Sequence, residues 1–206
     1  MNKFSPNMLK TFEECPHKYY LRYIKNISAP QKSSPFEKGK KIHALAHYYL
    51  RGDDIDKLEK TLNEDELKIW QSLKSNEHLS KTYVNSEYEI NFKIKDFWIG
   101  GRLDAIVKDG NNYFILDYKT GAIPKNPVYD YQTMTYLLGV KNFFKDANQI
   151  TFVYIDLKHG QNHTTTLTPE LEKEYLAKLE KICKTIENTK EFRKTECKYC
   201  EYSKIC

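Results

Sequence analysis

The sequence lacks the features expected of a membrane-spanning, secreted or ATP-hydrolysing protein. No run of 18 apolar residues occurs in its 206 residues, and the first residues have none of the apolar character of a signal peptide. Nothing resembles the GxxxxGK(S/T) phosphate-binding loop, so we expect no ATP hydrolysis by this chain. Internal repeats and low-complexity stretches are also missing. These absences predict a cytoplasmic protein with no membrane segment.

The composition is that of a folded globular chain. Charged residues make up 30% and hydrophobic residues 40%, and the net charge is +5. This mild basicity is compatible with a nucleic-acid partner, but many proteins that never bind DNA share it. The length fits one domain over residues 1–206. Within it we expect a core at 36–158, with helical flanks at 1–35 and 169–206.

Hydrophobic periodicity predicts helices around a set of strands. The predicted helices are 6–14, 17–24, 36–51, one that follows an Asn63–Glu66 capping box, 128–145 and 169–188. The predicted strands are 84–94, 97–108, 112–119 and 150–157, with 163–168 pairing back onto the last of these. One face of the first strand is expected to carry Val84, Ser86, Tyr88, Ile90, Phe92 and Ile94. Antiparallel strands followed by a helical crossover predict an α/β fold with a mixed sheet between helices.

A predicted hairpin carries the sharpest chemical signal. Asp109-Gly110-Asn111-Asn112 has strong turn chemistry, and a turn centred between Gly110 and Asn111 places Asp104 directly opposite Asp117. Opposed side chains share a face, with Cβ atoms roughly 4.5–5.5 Å apart. Lys119, two residues after Asp117, lies on the same face.

Two facing carboxylates repel each other unless one takes up a proton or a cation lies between them. Mg²⁺ or Mn²⁺ accepts a few carboxylate oxygens and keeps waters that a phosphate can replace. Lys119 would then orient a water or stabilise developing negative charge. The plainer interpretation is a surface hairpin in which Asp117 forms a salt bridge with Lys119. The apolar run Phe114-Ile115-Leu116 argues against it, because it indicates a buried strand.

Four of the five cysteines have the spacing of a metal site. Cys197, Cys200 and Cys206 form C-x2-C-x5-C, and the distant Cys15 completes a set of four. Such a set binds zinc or an iron–sulfur cluster, and spacing alone leaves both open. Cys183 lies among apolar residues of the last predicted helix and is expected to be a buried free thiol.

The ordered motifs resemble a known family. GGRLDAIV, a turn and FILDYKTG resemble the active-site hairpin of RecB-like PD-(D/E)xK nucleases. GKKIHALAH is similar to the helix that carries the family's metal-binding histidine, which corresponds to His43. YDYQTMTY resembles the QxxxY element, with Gln132 and Tyr136. The segment SPNMLKTFEECPHKYYLRYI and the late cysteines resemble the AddB nuclease domain and CRISPR-associated RecB-like exonucleases.

The resemblance implies a restriction-endonuclease-like fold and a metal-dependent deoxyribonuclease. Asp104, Asp117, His43 and the Tyr118 carbonyl are the implied ligands of Mg²⁺ or Mn²⁺. Lys119 is the implied catalytic lysine, with Gln132 and Tyr136 positioning the DNA strand or a water. Either Glu87 or Glu89 matches the family's accessory acidic residue. The four cysteines are the implied ligands of a [4Fe–4S] cluster in a helical cap that joins the chain ends.

The implied substrate is DNA, single-stranded or with free ends, and a helicase or a CRISPR-adaptation protein is the implied partner. Two other functions stay open at this point. One is a non-catalytic iron–sulfur DNA-binding subunit of a repair or CRISPR-adaptation complex. The other is a zinc-stapled regulatory protein. The facing acidic residues favour the nuclease, because a non-catalytic protein has no physical reason to keep them.

Overall fold

A computed structural model describes residues 3–29, 35–196, 200–203 and 205–206. Its strands are β1 (Lys3–Phe4), β2 (Thr82–Ile94), β3 (Phe97–Asp109), β4 (Asn112–Lys119), β5 (Gln149–Asp156) and β6 (Gln161–Thr166). Its helices are α1 (Pro6–Glu14), α2 (Pro16–Tyr19), α3 (Pro35–Arg51), α4 (Asp56–Glu59), α5 (Glu64–Lys74), α6 (Tyr131–Phe143) and α7 (Pro169–Asn188). Shorter turns comprise a π-helical one (Tyr20–Ile24) and two of 3₁₀ type (Glu77–Ser80 and Pro127–Tyr129).

Side-chain caps begin the helices where the sequence predicts them. The hydroxyl of Ser5 accepts a hydrogen bond from the Met8 amide at the start of α1. Asn63 and Glu66 form the predicted capping box of α5, which satisfies two amides that the first helical turn leaves without partners. Thr168 caps α7, with proline at its first position. These starts are therefore encoded locally.

The strands form one six-stranded sheet; its mixed character is as predicted, whereas β1 was not among the predicted strands. Its order is β1-β3-β4-β5-β6, with β2 paired to the other edge of β3. The β2–β3, β3–β4 and β5–β6 pairs are antiparallel, whereas β4–β5 and β1–β3 are parallel. The helix α6 provides the crossover that a parallel β4–β5 pair requires.

Helices cover both faces of the sheet, and β5 shows how the sequence achieves this. Phe152 and Tyr154 point into a core shared with α1, α6 and α7. Val153 and Ile155 point into a second core shared with α3 and α5. A strand buried on both faces reads as a continuous apolar run, which is the pattern of ITFVYID. No helix among the described residues is both long enough and apolar enough to cross a membrane.

The predicted one-face run of β2 is wrong at Ser86. Val84 and Tyr88 pack against the α6 side, whereas the Ser86 hydroxyl bonds to His47 of α3 on the opposite side. The physical reason is an irregular backbone. The β2–β3 register shifts between Tyr83 and Asn85, and Glu87 has a φ of 50°. These irregularities lie on either side of Ser86 and break the two-residue alternation of the strand.

Candidate active site

The predicted hairpin register is confirmed. β3 pairs with β4 from Ala105–Leu116 to Asp109–Asn112, and Gly110 begins the two-residue turn with a φ of 56°. Positive φ is easily adopted by glycine because it has no Cβ. This register makes Asp104 and Asp117 the next opposed positions beyond the ladder.

Asp104 takes the place of the backbone pairing where the ladder ends. Its Oδ2 accepts a hydrogen bond from the Tyr118 amide at 2.8 Å. A buried strand amide needs an acceptor, and here a side chain supplies it. The carboxylate is therefore held in a fixed position beside β4.

His43 reaches the same place from α3. Its Nδ1 lies 3.3 Å from Asp104 Oδ1, and its Nε2 lies 3.0 Å from the Tyr118 carbonyl oxygen. The ring also packs edge-on against the Tyr118 ring, with centroids 5.4 Å apart. The helix and the hairpin therefore bring His43 and Asp104 together.

Glu87 joins these two side chains. His43, Glu87 and Asp104 each offer one ligand atom within 4.8 Å of the others. Glu87 has a φ of 50°, which is uncommon for a residue with a side chain. The Glu87 carboxylate also lies 3.7 Å from Arg102, while Glu89 lies 3.6 Å from that arginine. Glu87, not Glu89, is therefore the acidic residue in this donor group.

Asp117, Lys119 and Gln132 form a second group. Lys119 Nζ lies 2.7 Å from Asp117 Oδ2 and donates to Gln132 Oε1 at 2.9 Å. The Gln132 amide nitrogen donates to Asp117 Oδ1 at 3.0 Å. The amide orientation of Gln132 is fixed by these two bonds, because its oxygen accepts from lysine while its nitrogen donates to aspartate.

The two groups interact electrostatically. Burial, and after it the Asp104 carboxylate, raise the pKa of Asp117, the Lys119 and His43 charges oppose this rise, and the net result is a pKa of about 6. Burial alone lowers the pKa of His43, but its hydrogen bond to Asp104 and the nearby carboxylates outweigh burial, so this pKa is raised. In both shifts part of the change comes from neighbouring carboxylates, and a cation would relieve this repulsion.

The donor group fits a divalent cation. Two carboxylates and one imidazole form a set dominated by oxygen, which suits Mn²⁺ or Mg²⁺. Neighbouring ligands of an octahedral Mg²⁺ lie about 2.9 Å apart, close to the 3.0 Å between His43 Nε2 and the Tyr118 carbonyl. That contact is a hydrogen bond when Nε2 carries its proton. When Nε2 carries no proton, this nitrogen and the Tyr118 carbonyl oxygen are suitably spaced to act as the predicted pair of metal ligands.

Tyr136 lies behind the site. It is 5% exposed, and its hydroxyl donates to the Arg102 carbonyl at 2.9 Å. Gly101 makes this contact sterically possible, because a Cβ there would lie 2.8 Å from the Tyr136 hydroxyl oxygen. Tyr136 thus braces the strand that carries Asp104, whereas Gln132, one turn earlier on α6, contacts Asp117 directly.

Comparison with known proteins identifies the family. The model of the PD-(D/E)XK nuclease superfamily matches residues 3–206. The chain belongs to the PD-(D/E)XK nuclease superfamily. The central mixed sheet flanked by helices is the restriction-endonuclease-like fold predicted from the motifs.

Two relatives are informative. The CRISPR-associated exonuclease Cas4 of Francisella tularensis subsp. novicida (strain U112) is 22% identical over 123 residues, which are 58% of this chain and 61% of that protein. The match therefore spans less than two thirds of the curated relative. The crystal structure of a candidate exonuclease from Eubacterium rectale aligns with a TM-score of 0.61 and 13% identity, covering 100% of this chain and 89% of that one. At this identity, the second likeness concerns the fold.

The cysteines of this nuclease-family chain form the second predicted site. Cys15, Cys200 and Cys206 line one cavity of about 140 Å³, and Cys197 lies outside the described residues. The Lys18 amide donates to the Cys15 sulfur. Burial raises the pKa of Cys15, but hydrogen bonds from Thr195 and neighbouring amides outweigh it, so the pKa is lowered overall. Lowered thiol pKa values favour the thiolate that binds metals.

Cys183 is separate from that cavity. It is fully buried in α7, and burial raises its pKa to about 12. A thiol of this kind stays protonated and behaves as a small apolar side chain. This matches the prediction of a buried free thiol.

Sequence reasoning missed Asp130 and Tyr154. Asp130 caps α6 by accepting from the Gln132 amide at 2.9 Å, and the Tyr154 hydroxyl donates to the same oxygen at 2.9 Å. The Tyr154 ring centroid lies 5.2 Å from Lys119 Nζ. An acidic N-cap just before YQTMTY was a readable signal. The contribution of Tyr154 was not, because it depends on the β4–β5 pairing.

Proposed function

We propose that this protein is a deoxyribonuclease that hydrolyses phosphodiester bonds with Mg²⁺ or Mn²⁺. The observation that supports this most is the group of His43, Glu87 and Asp104 donors beside the Asp117–Lys119 pair. The family match supports DNA as the substrate class. The Cas4 relative is named an exonuclease, and we extend to this chain an exonuclease activity that favours single strands or free ends.

The side chains have distinct roles in this proposal. The cation would be held by His43, Glu87, Asp104 and the Tyr118 carbonyl. Asp117 would lie beside it. A cation bound there supplies a water of lowered pKa and neutralises charge on the phosphate. Asp117 and Gln132 hold the Lys119 side chain in place, and 24% of that side chain is exposed to solvent. Its ammonium would stabilise the negative charge that develops on the phosphate oxygens.

The deciding experiment is cleavage of end-labelled single-stranded DNA with Mn²⁺, Mg²⁺, Ca²⁺ or a chelator. Lys119→Ala and Asp117→Ala should each lower the rate by about 100-fold or more, the usual cost of losing a catalytic group. DNA binding in Ca²⁺ should persist. Lys108→Ala on β3 is the matched control and should cleave normally. If the double variant still cuts with the same metal dependence, another site is responsible.

We also propose that the four cysteines bind a [4Fe–4S] cluster. Three of them line one cavity, and amides of Lys18 and Tyr202 donate to the sulfurs of Cys15 and Cys200. Hydrogen bonds to cysteine sulfur are a common feature of such clusters. The cluster would join the two chain ends into the cap predicted from the sequence.

Anaerobic purification tests the cluster. The protein should be brown, with broad absorbance near roughly 400 nm from thiolate-ligated iron. Cys15→Ser should lose the colour and Cys183→Ala should keep it. Colourless protein with one zinc per chain would contradict the assignment.

Because the Cas4 relative is CRISPR-associated, a CRISPR-adaptation protein or a helicase is the partner we propose to test by co-purification.

A further inference from the structure

We propose that His47 and Ser86 are positioning residues that hold the backbone around Glu87, so that its carboxylate faces His43 and Asp104. This inference rests on the proposed metal-dependent function, because it concerns how one ligand of the same cation is placed. Neither residue lies in the donor group itself. Their effect would act through Glu87.

The backbone at Glu87 needs external support. Its φ of 50° lies in the left-handed region, which a glutamate adopts only when its surroundings impose it. Ser86 pairs with Ala105 and Tyr88 with Leu103. Glu87 therefore lies between these two rungs, at the position opposite Asp104. The unusual conformation thus occurs where the strand faces the candidate cation site.

Ser86 is the anchor next to this conformation. Its Oγ lies 2.7 Å from His47 Nδ1 and 3.2 Å from the Tyr83 hydroxyl. Its amide donates to Asn85 Oδ1 at 2.9 Å, and the residue is only 6% exposed. A buried hydroxyl with these partners has one stable orientation. The residue before Glu87 is therefore fixed.

The tautomer of His47 follows from its second partner. Arg51 Nη1 lies 3.4 Å from His47 Nε2, and arginine can only donate. In the neutral ring Nε2 is then the acceptor, so Nδ1 carries the proton and donates to Ser86 Oγ. The direction of the bond to Ser86 is set by this arrangement.

The helix α3 couples this anchor to the candidate ligand His43. His43 and His47 are four residues apart, so they lie on the same face of α3. His43 contacts Asp104, and His47 contacts Ser86, the residue before Glu87. One rigid helix therefore sets both the imidazole and the strand segment of the donor group.

The test measures Mn²⁺ affinity by electron paramagnetic resonance, without DNA or turnover. His47→Leu and Ser86→Ala should weaken Mn²⁺ binding by about tenfold, the lower end of the range for residues that orient metal ligands. His47→Asn should retain most of the Mn²⁺ affinity, because the asparagine amide nitrogen can replace Nδ1 in the hydrogen bond to Ser86. The matched control is Thr151→Val. Thr151 is also 6% exposed, and its hydroxyl bonds to Thr166 far from the site, so its loss should leave Mn²⁺ binding unchanged.

A double-mutant cycle decides whether the effect passes through Glu87. In a Glu87→Gln background, His47→Leu should cause no further loss of Mn²⁺ affinity, because coupled residues are not additive. An equal tenfold loss in both backgrounds, or no loss in either, would overturn the inference. If Glu87→Gln and Asp104→Asn themselves leave Mn²⁺ binding unchanged, the proposed function fails instead.

Discussion

The candidate active site and the cysteine cavity are assembled in different ways. In the active site, Asp104 bonds to the adjacent strand and Lys119 to Asp117 and Gln132, so protein contacts position these groups. The cysteine cavity combines Cys15 with Cys200 and Cys206 from the other end of the chain. The first region is built on the sheet, and the second joins two termini.

Contacts around the cavity show what holds the termini together. Phe192 stacks on Tyr19 and Tyr20, and the His17 amide donates to the Arg193 carbonyl at 3.2 Å. The Tyr202 hydroxyl donates to the Ile27 carbonyl at 2.9 Å. These contacts join separate segments and do not form a continuous ladder. A metal that closes such a junction contributes folding energy, whereas a cation in a preformed site contributes mainly chemistry.

The largest expected effect comes from comparing one substitution in the cysteine cavity with one in the candidate active site. Cys15→Ser should lower Tm by more than about 10 °C, because a structural metal site contributes several kcal/mol, and it should leave Mn²⁺ affinity unchanged. Asp104→Asn should abolish Mn²⁺ binding and leave Tm nearly unchanged, since asparagine keeps the acceptor for the Tyr118 amide. Calorimetry and Mn²⁺ titration measure both. Equal losses of Tm would remove the distinction between the regions.

A smaller effect should follow from Gly101→Ala, which tests the sheet as a scaffold. The new Cβ would lie 2.8 Å from the buried Tyr136 hydroxyl, and overpacking of this kind costs about 1–3 kcal/mol. Thermal unfolding should show a Tm lower by several degrees.

Gly121→Ala is the control for this substitution, because a Cβ at Gly121 has nothing within 4 Å. Combining Gly101→Ala with Tyr136→Phe removes the clashing oxygen, so the double variant should lose less stability than the sum of the single variants. If the losses of the two single variants simply add, the strain of Gly101→Ala does not come from the Tyr136 hydroxyl.

The smallest effect concerns pH and a histidine outside both regions. Burial lowers the pKa of His78 below its ordinary value of 6.5. The Glu77 carboxylate opposes this change, and the Lys81 charge lowers the pKa further. The unfolded chain therefore binds more protons, so stability is full above pH 6.5 and falls as the pH decreases through the lowered pKa. His78→Phe, which keeps an aromatic ring against Phe114, should flatten this dependence in denaturation at several pH values. An unchanged slope would assign it to other groups.

Much of the fold was readable because its signals are local. The Gly110–Asn111 turn sets the hairpin register, which is confirmed from Ala105–Leu116 onward. Side-chain caps at Ser5 and Asn63 begin their helices as predicted. Turn chemistry, caps and periodicity involve residues only a few positions apart. The candidate hairpin acids therefore follow from short stretches of chain.

Tertiary packing decided what these patterns left open. Glu87 rather than Glu89 faces His43 and Asp104, because β2 is irregular where Ser86 meets α3. Gln132 contacts Asp117 because α6 lies over the sheet, and Cys15 shares a cavity with Cys200 only because the termini meet. Each of these depends on contacts between residues far apart in sequence. Alternation along a single strand contains no information about a bulge that a distant helix stabilises.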